Sequence, residues 1–377
     1  MPIYLTLTLT LFNFTSANAA RVLLTLYALE LDASATEVGL LGGLLFLFPL
    51  LLSWPIGALA DRKGARGILL FAAACATVSL LLPFFFGKLM VFYAAAALNG
   101  LALAFFHVTL QNLIGNLSTP ERRARNFANF SLAGATTTFS GPLLAGLSID
   151  TVGHARACLI TAMIPVIVIV LLLALGRHLP GPRPTPKAGA EAPRALLDAD
   201  VWRMLIMSGL VQVGYDLFQF LVPLYGHQIG LSASAIGGVI ATLAVAAFVV
   251  RLFLPRLLKR YASQQLLAWV FFTGAIGFAL APFSPNGLVL GMTAFLFGLG
   301  MGIGIPLTVI LMYETSAEGR SGQTLGLRLT GNNLVRVSGP MVFGAIGTAL
   351  GVAAVFWIIA AILVGGGVMA QMGKSRS

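Results

Sequence analysis

Apolar runs of about twenty residues, long enough to cross a hydrocarbon layer, recur along the whole 377-residue chain. They limit the fold more than any motif does. Hydrophobic residues make up 58% of the chain and charged residues 9%, with a mean hydropathy of +0.94. A water-soluble domain carries roughly a quarter charged residues, so this chain cannot cover a surface in water. In lipid every backbone polar group needs an internal partner, which leaves helices or a closed barrel. The runs are continuous and do not alternate in short segments of about ten residues as barrel strands do. The expectation is an all-α membrane protein.

Twelve spans are expected near 3–27, 38–60, 68–86, 90–115, 127–149, 157–176, 203–225, 234–256, 265–283, 287–312, 324–348 and 352–371. The run from Ile3 to Tyr27 has no basic leader and reads as the first span, not as a cleaved signal. With that start on the inside, seventeen of the 23 Lys and Arg residues fall in inner segments, two (Lys88, Arg156) in outer loops, and four within spans. This bias predicts an inner-membrane protein with both termini in the cytoplasm. The +11 net charge then faces anionic membrane lipid, and no nucleic-acid partner is called for. Cys75 and Cys158 sit in apolar runs as packing residues. No metal site and no cofactor is expected.

The chain repeats itself without a gap at an offset of 198 residues. Leu26-Tyr27 matches Leu224-Tyr225, Ser34-Ala35 matches Ser232-Ala233, and Ser140-Gly141-Pro142 matches Ser338-Gly339-Pro340. Six spans lie between the members of each pair, so the two halves run in the same sense about a pseudo-twofold axis along the membrane normal. The expected domains are a six-helix bundle at 1–176, a proline-containing cytoplasmic linker at 177–202, and a second six-helix bundle at 203–377.

Between spans two and three stands Gly57-Ala58-Leu59-Ala60-Asp61-Arg62-Lys63-Gly64-Ala65-Arg66. This run resembles the cytoplasmic signature of the major facilitator superfamily (MFS). The resemblance implies the MFS fold, with twelve helices in two pseudo-twofold bundles, and a transporter that is a monomer by default. It assigns gating to Gly57, Asp61, Arg62, Gly64 and Arg66. Arg62 and Arg66 are expected to pair with carboxylates on neighbouring cytoplasmic ends. In the second half Pro255, Lys259, Arg260 and Ala262 stand at the positions of Gly57, Asp61, Arg62 and Gly64, so that only the arginine is kept. Span five ends in Gly141-Pro142-Leu143-Leu144-Ala145-Gly146, similar to an element of superfamily antiporters, which implies export. Span four lacks the arginine those antiporters carry, since Ala94 to Asn99 precede Gly100 without one.

Ionisable groups inside a span are costly and mark cavities or partners. Gln212, Asp216 and Gln219 lie at i, i+4 and i+7 of span seven and share one face. Their counterparts in span one are Phe14, Asn18 and Arg21. Span eleven adds Arg336, with Asn332 and Asn333 a turn earlier, and span four adds His107, Gln111 and Asn112. A substrate site is expected from Arg21, Asn18, Gln212, Asp216, Gln219, Arg336, Asn332 and His107, with Asp216, the one mid-span acid, carrying a coupling proton. Arg251 and Arg328 are assigned to gating or to snorkelling toward the interface.

Four arginines against one acid predict a small organic anion or zwitterion as solute. The expected activity is secondary active, proton-coupled transport by alternating access, with export preferred to import. A multidrug/proton antiporter for lipophilic cations and a non-transporting solute receptor are the alternatives. An enzyme is not expected, for the chain has no spaced metal ligands, activated nucleophile or phosphate loop.

Overall fold

Every regular element among the described residues is helical, as a chain that must pair its backbone within hydrocarbon requires. The computed structural model describes residues 2–180, 199–315 and 321–372, without the side chains at 53–55, 57, 58, 60–63, 120, 121, 123, 124, 127, 128, 199, 313–315 and 321–326. The first half contains α1 (Pro2–Glu30), α2 (Ala35–Lys63), α3 (Ala65–Phe85), α4 (Leu89–Leu117), α5 (Pro120–Val152) and α6 (His154–Leu175). The second contains α7 (Ala199–Gln228), α8 (Ala233–Arg260), α9 (Ser263–Leu280), α10 (Gly287–Met301), α11 (Gly304–Thr315), α12 (Ser321–Leu350) and α13 (Val352–Met372). The expected linker falls largely in 181–198, outside the described residues.

The helix boundaries reproduce the sequence repeat. Residues 35, 65, 89 and 154 begin α2, α3, α4 and α6, and residues 233, 263, 287 and 352 begin their copies 198 positions later. The packing repeats too. A Cβ on Gly100 would lie 2.6 Å from the Leu45 carbonyl oxygen, and one on Gly298 would lie 2.5 Å from that of Leu243, the corresponding residue. These glycines let α4 approach α2, and α10 approach α8, at backbone distance.

The span expected over 287–312 is long and apolar enough to cross a membrane, and within it the helix is interrupted at Gly302 and Ile303, forming α10 and α11. The reason is Pro306, which has no N–H to continue the ladder. Nine stretches of described residues are long and apolar enough to cross a membrane by length and composition. The long helices outside that set are α1, α5 and α12. All three carry polar residues in mid-helix, including Asn18 and Arg21, Thr136 to Thr138, and Asn332 to Arg336.

The chain divides into two compact units: residues 1–188 with 232–237, and residues 189–231 with 238–377. Unit 1 is centred on Leu9, Leu69, Ala72, Leu110 and Leu172, all fully buried. Its α1 and α5 cross at Gly141, where a Cβ would come within 2.6 Å of Asn18 Cβ and 2.9 Å of the Thr15 carbonyl. Unit 2 is built around aromatic rings. Phe218 stacks on Phe297 at 4.0 Å, and Phe278 meets Phe297 edge-on at 5.3 Å.

Two helix starts show how the copies diverged. At α2, Ser34 and Glu37 form a capping box: the Ser34 N–H and hydroxyl each donate to Glu37 Oε2 at 2.8 Å, and Glu37 N–H returns to Ser34 Oγ at 3.3 Å. These bonds from Ser34 hold the Glu37 carboxyl below its ordinary value. At α8 the position of Glu37 is taken by Ala235. The acid comes instead from α5, whose Asp150 accepts from the N–H groups of Ala233 (3.1 Å) and Ser234 (2.8 Å) within unit 1. Partial burial pushes the Asp150 carboxyl up, and hydrogen bonds from Ser234, Ser232 and Ala233 outweigh it and hold the group below its ordinary value.

Candidate functional site

The polar residues of α7 and α12 form one connected network inside unit 2. Their spacing makes this so: Ser208, Gln212 and Asp216 recur every fourth residue on α7, as Arg328, Asn332 and Arg336 do on α12, so each set shares a helix face. Ser208 Oγ donates to Asn332 Oδ1 at 3.2 Å, and Asn332 Nδ2 reaches Gln212 Oε1 at 3.4 Å. Gln212 Nε2 donates to Asp216 Oδ2 at 2.6 Å, and Arg336 Nε donates to the same oxygen at 2.9 Å.

Asp216 is 4% exposed and Arg336 is half-buried, its side chain 35% accessible. A carboxylate this deep needs a paired cation, since an unpaired buried charge is strongly destabilising. The pair occupies the one arginine of the network. Gln219, a turn beyond Asp216, is half-buried and makes no hydrogen bond to a described residue.

Unit 1 holds a second, uncharged set. Asn18 Nδ2 donates to Thr137 Oγ1 at 3.2 Å, and Thr15 bonds Ser140 at 3.2 Å, both between α1 and α5. Arg21 lies over the Phe46 ring with its guanidinium carbon 5.5 Å from the centroid. His107 is exposed, 3.4 Å from Gln111 Nε2, with its ring 5.8 Å from that of Phe14. Of the eight sequence-identified residues, Gln212, Asp216, Asn332 and Arg336 are thus joined in unit 2, and Gln219 lies on the same helix. Asn18, Arg21 and His107 are in unit 1.

The other in-span arginines have backbone partners. Arg251 Nε donates to the Gly302 carbonyl at 2.7 Å. Arg328, 5% exposed, donates from one terminal nitrogen to Thr308 Oγ1 (3.1 Å) and the Ile305 carbonyl (3.4 Å). In the gating motif, Gly64 has φ +78° at the start of α3, a left-handed turn that glycine makes without strain. Arg66 donates to the carbonyls of Leu172 and Leu173 in the last turn of α6, both at 3.2 Å, and the Leu172 carbonyl also accepts the Gly176 N–H. Among the described residues its partners are these carbonyls, not the carboxylate expected from the sequence. The side chains of Gly57, Asp61, Arg62 and Glu314 lie outside the described residues.

Sequence reasoning missed Ser208, Thr137, Thr308 and Asp150. Ser208 was findable, being one more fourth-residue step on the Gln212–Asp216 face. Thr137, Thr308 and Asp150 are partners across helices, and nothing local to the sequence marks them. The missing acid at Ala235 was the one available clue to Asp150.

The sequence model of the Major Facilitator Superfamily matches residues 6–327. The multidrug resistance protein MdtG of Serratia proteamaculans (strain 568) is 25% identical over 334 residues, covering 86% of this chain and 80% of its own. The uncharacterized MFS-type transporter YuxJ of Bacillus subtilis (strain 168) is 23% identical over 354 residues, covering 88% and 86%. Among solved structures, a mutant of the peptide transporter POT in complex with sulfate superposes with a TM-score of 0.81 at 14% identity, covering 99% of this chain and 94% of that one. A mutant of the nucleoside transporter NupG superposes with a TM-score of 0.77 at 13% identity, covering 99% of each. The family match over most of the chain, the repeated helices and the shared fold lead to one conclusion: the chain belongs to the Major Facilitator Superfamily and is a multi-pass membrane transporter.

Proposed function

We propose that the protein is a secondary active transporter that moves a small organic anion or zwitterion across the inner membrane by proton-coupled alternating access, with export preferred to import. Both termini lie in the cytoplasm on this reading, and the protein acts as a monomer. The observation that carries it is the buried Asp216–Arg336 pair at 2.9 Å, set among Gln212, Asn332 and Ser208. A proton taken up by Asp216 removes the charge that holds Arg336. The freed guanidinium then binds the carboxylate of the solute, and loss of the proton restores the pair and expels the solute. Occupancy by the proton and occupancy by the solute are thus linked through one arginine. Asn18, Arg21, Gln219 and His107 supply further polar contacts to the solute, and Gly57, Asp61, Arg62, Gly64 and Arg66 serve gating.

A second reading is exchange of lipophilic cations for protons. The multidrug resistance for which the MdtG relatives are named favours it, as does the engagement of Arg251 and Arg328 by backbone carbonyls, which leaves fewer arginines for an anion. The experiment is a thermal-stability screen of the purified protein with benzoate, glycine betaine and tetraphenylphosphonium, followed by proteoliposome flux of any stabilising solute under an imposed pH gradient. A bound solute raises the unfolding midpoint with its occupancy. Stabilisation by benzoate or betaine that disappears in Arg336→Ala supports the anion reading. Stabilisation by tetraphenylphosphonium that survives in Arg336→Ala overturns it in favour of the cation reading. Binding without counterflow would identify a receptor.

A further inference from the structure

α4 runs unbroken from Leu89 to Leu117, whereas its copy 198 residues later is split into α10 and α11. The split lies where Gly302, Gly304 and Pro306 stand in place of Ala104, Phe106 and Val108, and of these Pro306 alone removes a backbone donor. Proline has no N–H, so the carbonyl of Gly302, four residues earlier, loses its helical donor. In the interior of a membrane protein an unpaired carbonyl is costly and must find another partner. The partner is Arg251 of α8, whose Nε lies 2.7 Å from the Gly302 oxygen.

The seat is tight. A Cβ at Gly302 would lie 2.5 Å from the Ala247 Cα and 2.7 Å from Val250 Cγ1, both on α8, so the junction is held against the helix that carries Arg251. The next turn is held from the other side. The Ile305 carbonyl and the Thr308 hydroxyl receive Arg328 of α12, and Thr308 Oγ1 itself donates to the Ile305 carbonyl at 2.8 Å. Gly304 meanwhile seats α11 on α7, where an added Cβ would be 2.7 Å from Val211 Cγ1, the neighbour of Gln212.

The two halves of the chain provide an internal control. The positions of Arg251, Pro306, Thr308 and Arg328 are Ser53, Val108, Leu110 and Phe130 in the first half. There the helix is continuous, and neither arginine nor the hydroxyl acceptor is present. The helix-breaking proline and the groups that satisfy the broken ladder occur together or not at all. A snorkelling arginine would show no such dependence, nor would it spend its Nε on a backbone oxygen.

We propose that Arg251 is a positioning residue that supplies the donor removed by Pro306 and so fixes the α10–α11 junction. The fixed junction presents Ile305 and Thr308 to Arg328, which shares a face of α12 with Asn332 and Arg336. The junction's bonding is independent of which solute the protein carries, and its test needs no transport assay.

Hydrogen–deuterium exchange of the full-length protein in lipid nanodiscs tests it, read on peptides covering 302–312 and, as a control, the matching 104–114 of α4. Arg251→Met is expected to raise exchange in 302–312 roughly tenfold, the effect of losing a charge-assisted hydrogen bond, and to leave 104–114 unchanged. Arg251→Lys, which keeps a donor, is expected to fall between. The double variant Arg251→Met with Pro306→Ala is expected to return to the wild-type rate, because the alanine N–H can reach the Gly302 carbonyl itself. Equal exchange in Arg251→Met and wild type would overturn the proposal, as would a double variant as loose as Arg251→Met. If Arg251→Met does not fold, Pro306→Ala serves as the parent. Removing Arg251 from that parent is expected to change nothing in 302–312, and a loosened junction there would also overturn the proposal.

Discussion

Asn18 of α1 and Asp216 of α7 occupy corresponding positions in two copies of one helix, 198 residues apart. Across from them, Thr138 and Arg336 correspond on α5 and α12. In unit 1 the helices meet through a neutral hydrogen bond from Asn18 to Thr137 at 3.2 Å. In unit 2 they meet through the Asp216–Arg336 ion pair at 2.9 Å. The nearby glycines differ in the same way. A Cβ on Gly141 would strike α1 at 2.6 Å, whereas one on Gly339 would only touch Leu217 and Val213 of α7 at 3.7 Å. One frame has therefore been filled twice, once as a close backbone crossing and once as a looser seat for a charged pair. Both copies keep the close backbone approach at Gly100 and Gly298, away from these crossings.

The strongest way to break this comparison is to remove one charge. Arg336→Met leaves Asp216 buried without its cation and is expected to cost about 3–5 kcal/mol, whereas Thr137→Val in unit 1 costs about 1 kcal/mol. Unfolding midpoints of the purified variants check this, and equal losses would mean that the two contacts are equivalent. Installing the chemistry of unit 1 in unit 2, with Asp216→Asn and Arg336→Thr together, is expected to restore most of that stability and to abolish pH-dependent flux. Retained pH dependence in this double variant would remove Asp216 from the coupling role.

Gly141→Ala forces an overpacked α1–α5 crossing and is expected to cost about 1–3 kcal/mol. Gly339→Ala is expected to stay within about 0.5 kcal/mol of wild type. Similar effects of the two alanines would show that the crossings are equally close. The smallest expected effect is at the α8 cap. The carboxyls of Asp150 and Glu37 are both held below their ordinary values. Their stabilisation is therefore full at neutral pH and is lost only as the pH falls past about 4. The unfolding midpoint of Asp150→Asn is expected to lie slightly below wild type at pH 7 and to converge with it at pH 3. A difference that persists at pH 3 would mean that Asp150 acts by something other than its charge.

Much of the architecture was legible in the chain. Apolar runs, the 198-residue repeat and the Gly57–Arg66 motif led to a twelve-span duplicated membrane fold. The i, i+4 spacing of Gln212 and Asp216 placed them on one face, and Arg336 stood out as a charge in mid-span. The run Gly298, Gly300, Gly302, Gly304 and Pro306 marks span ten as a place for either a bend or close packing, and the structure has the helix interrupted at Gly302 and Ile303. The partners of Arg251 and Arg328 were not legible. A charge in a span announces that it needs a partner, but these two meet backbone carbonyls, which every residue has, and the Thr308 hydroxyl.

What the sequence alone determined was whatever depends on local chemistry or on periodicity: the helices, their number and copying, and the faces on which polar groups lie. Tertiary structure alone decided which of those groups meet. It assigned Arg336 to Asp216, Arg251 to Gly302 and Asp150 to the start of α8. The physical reason is that spacing along a helix fixes a side chain's direction to within a turn. A hydrogen bond is decided within a few tenths of an ångström, and that precision comes from how glycine crossings and packed rings bring one helix against the next.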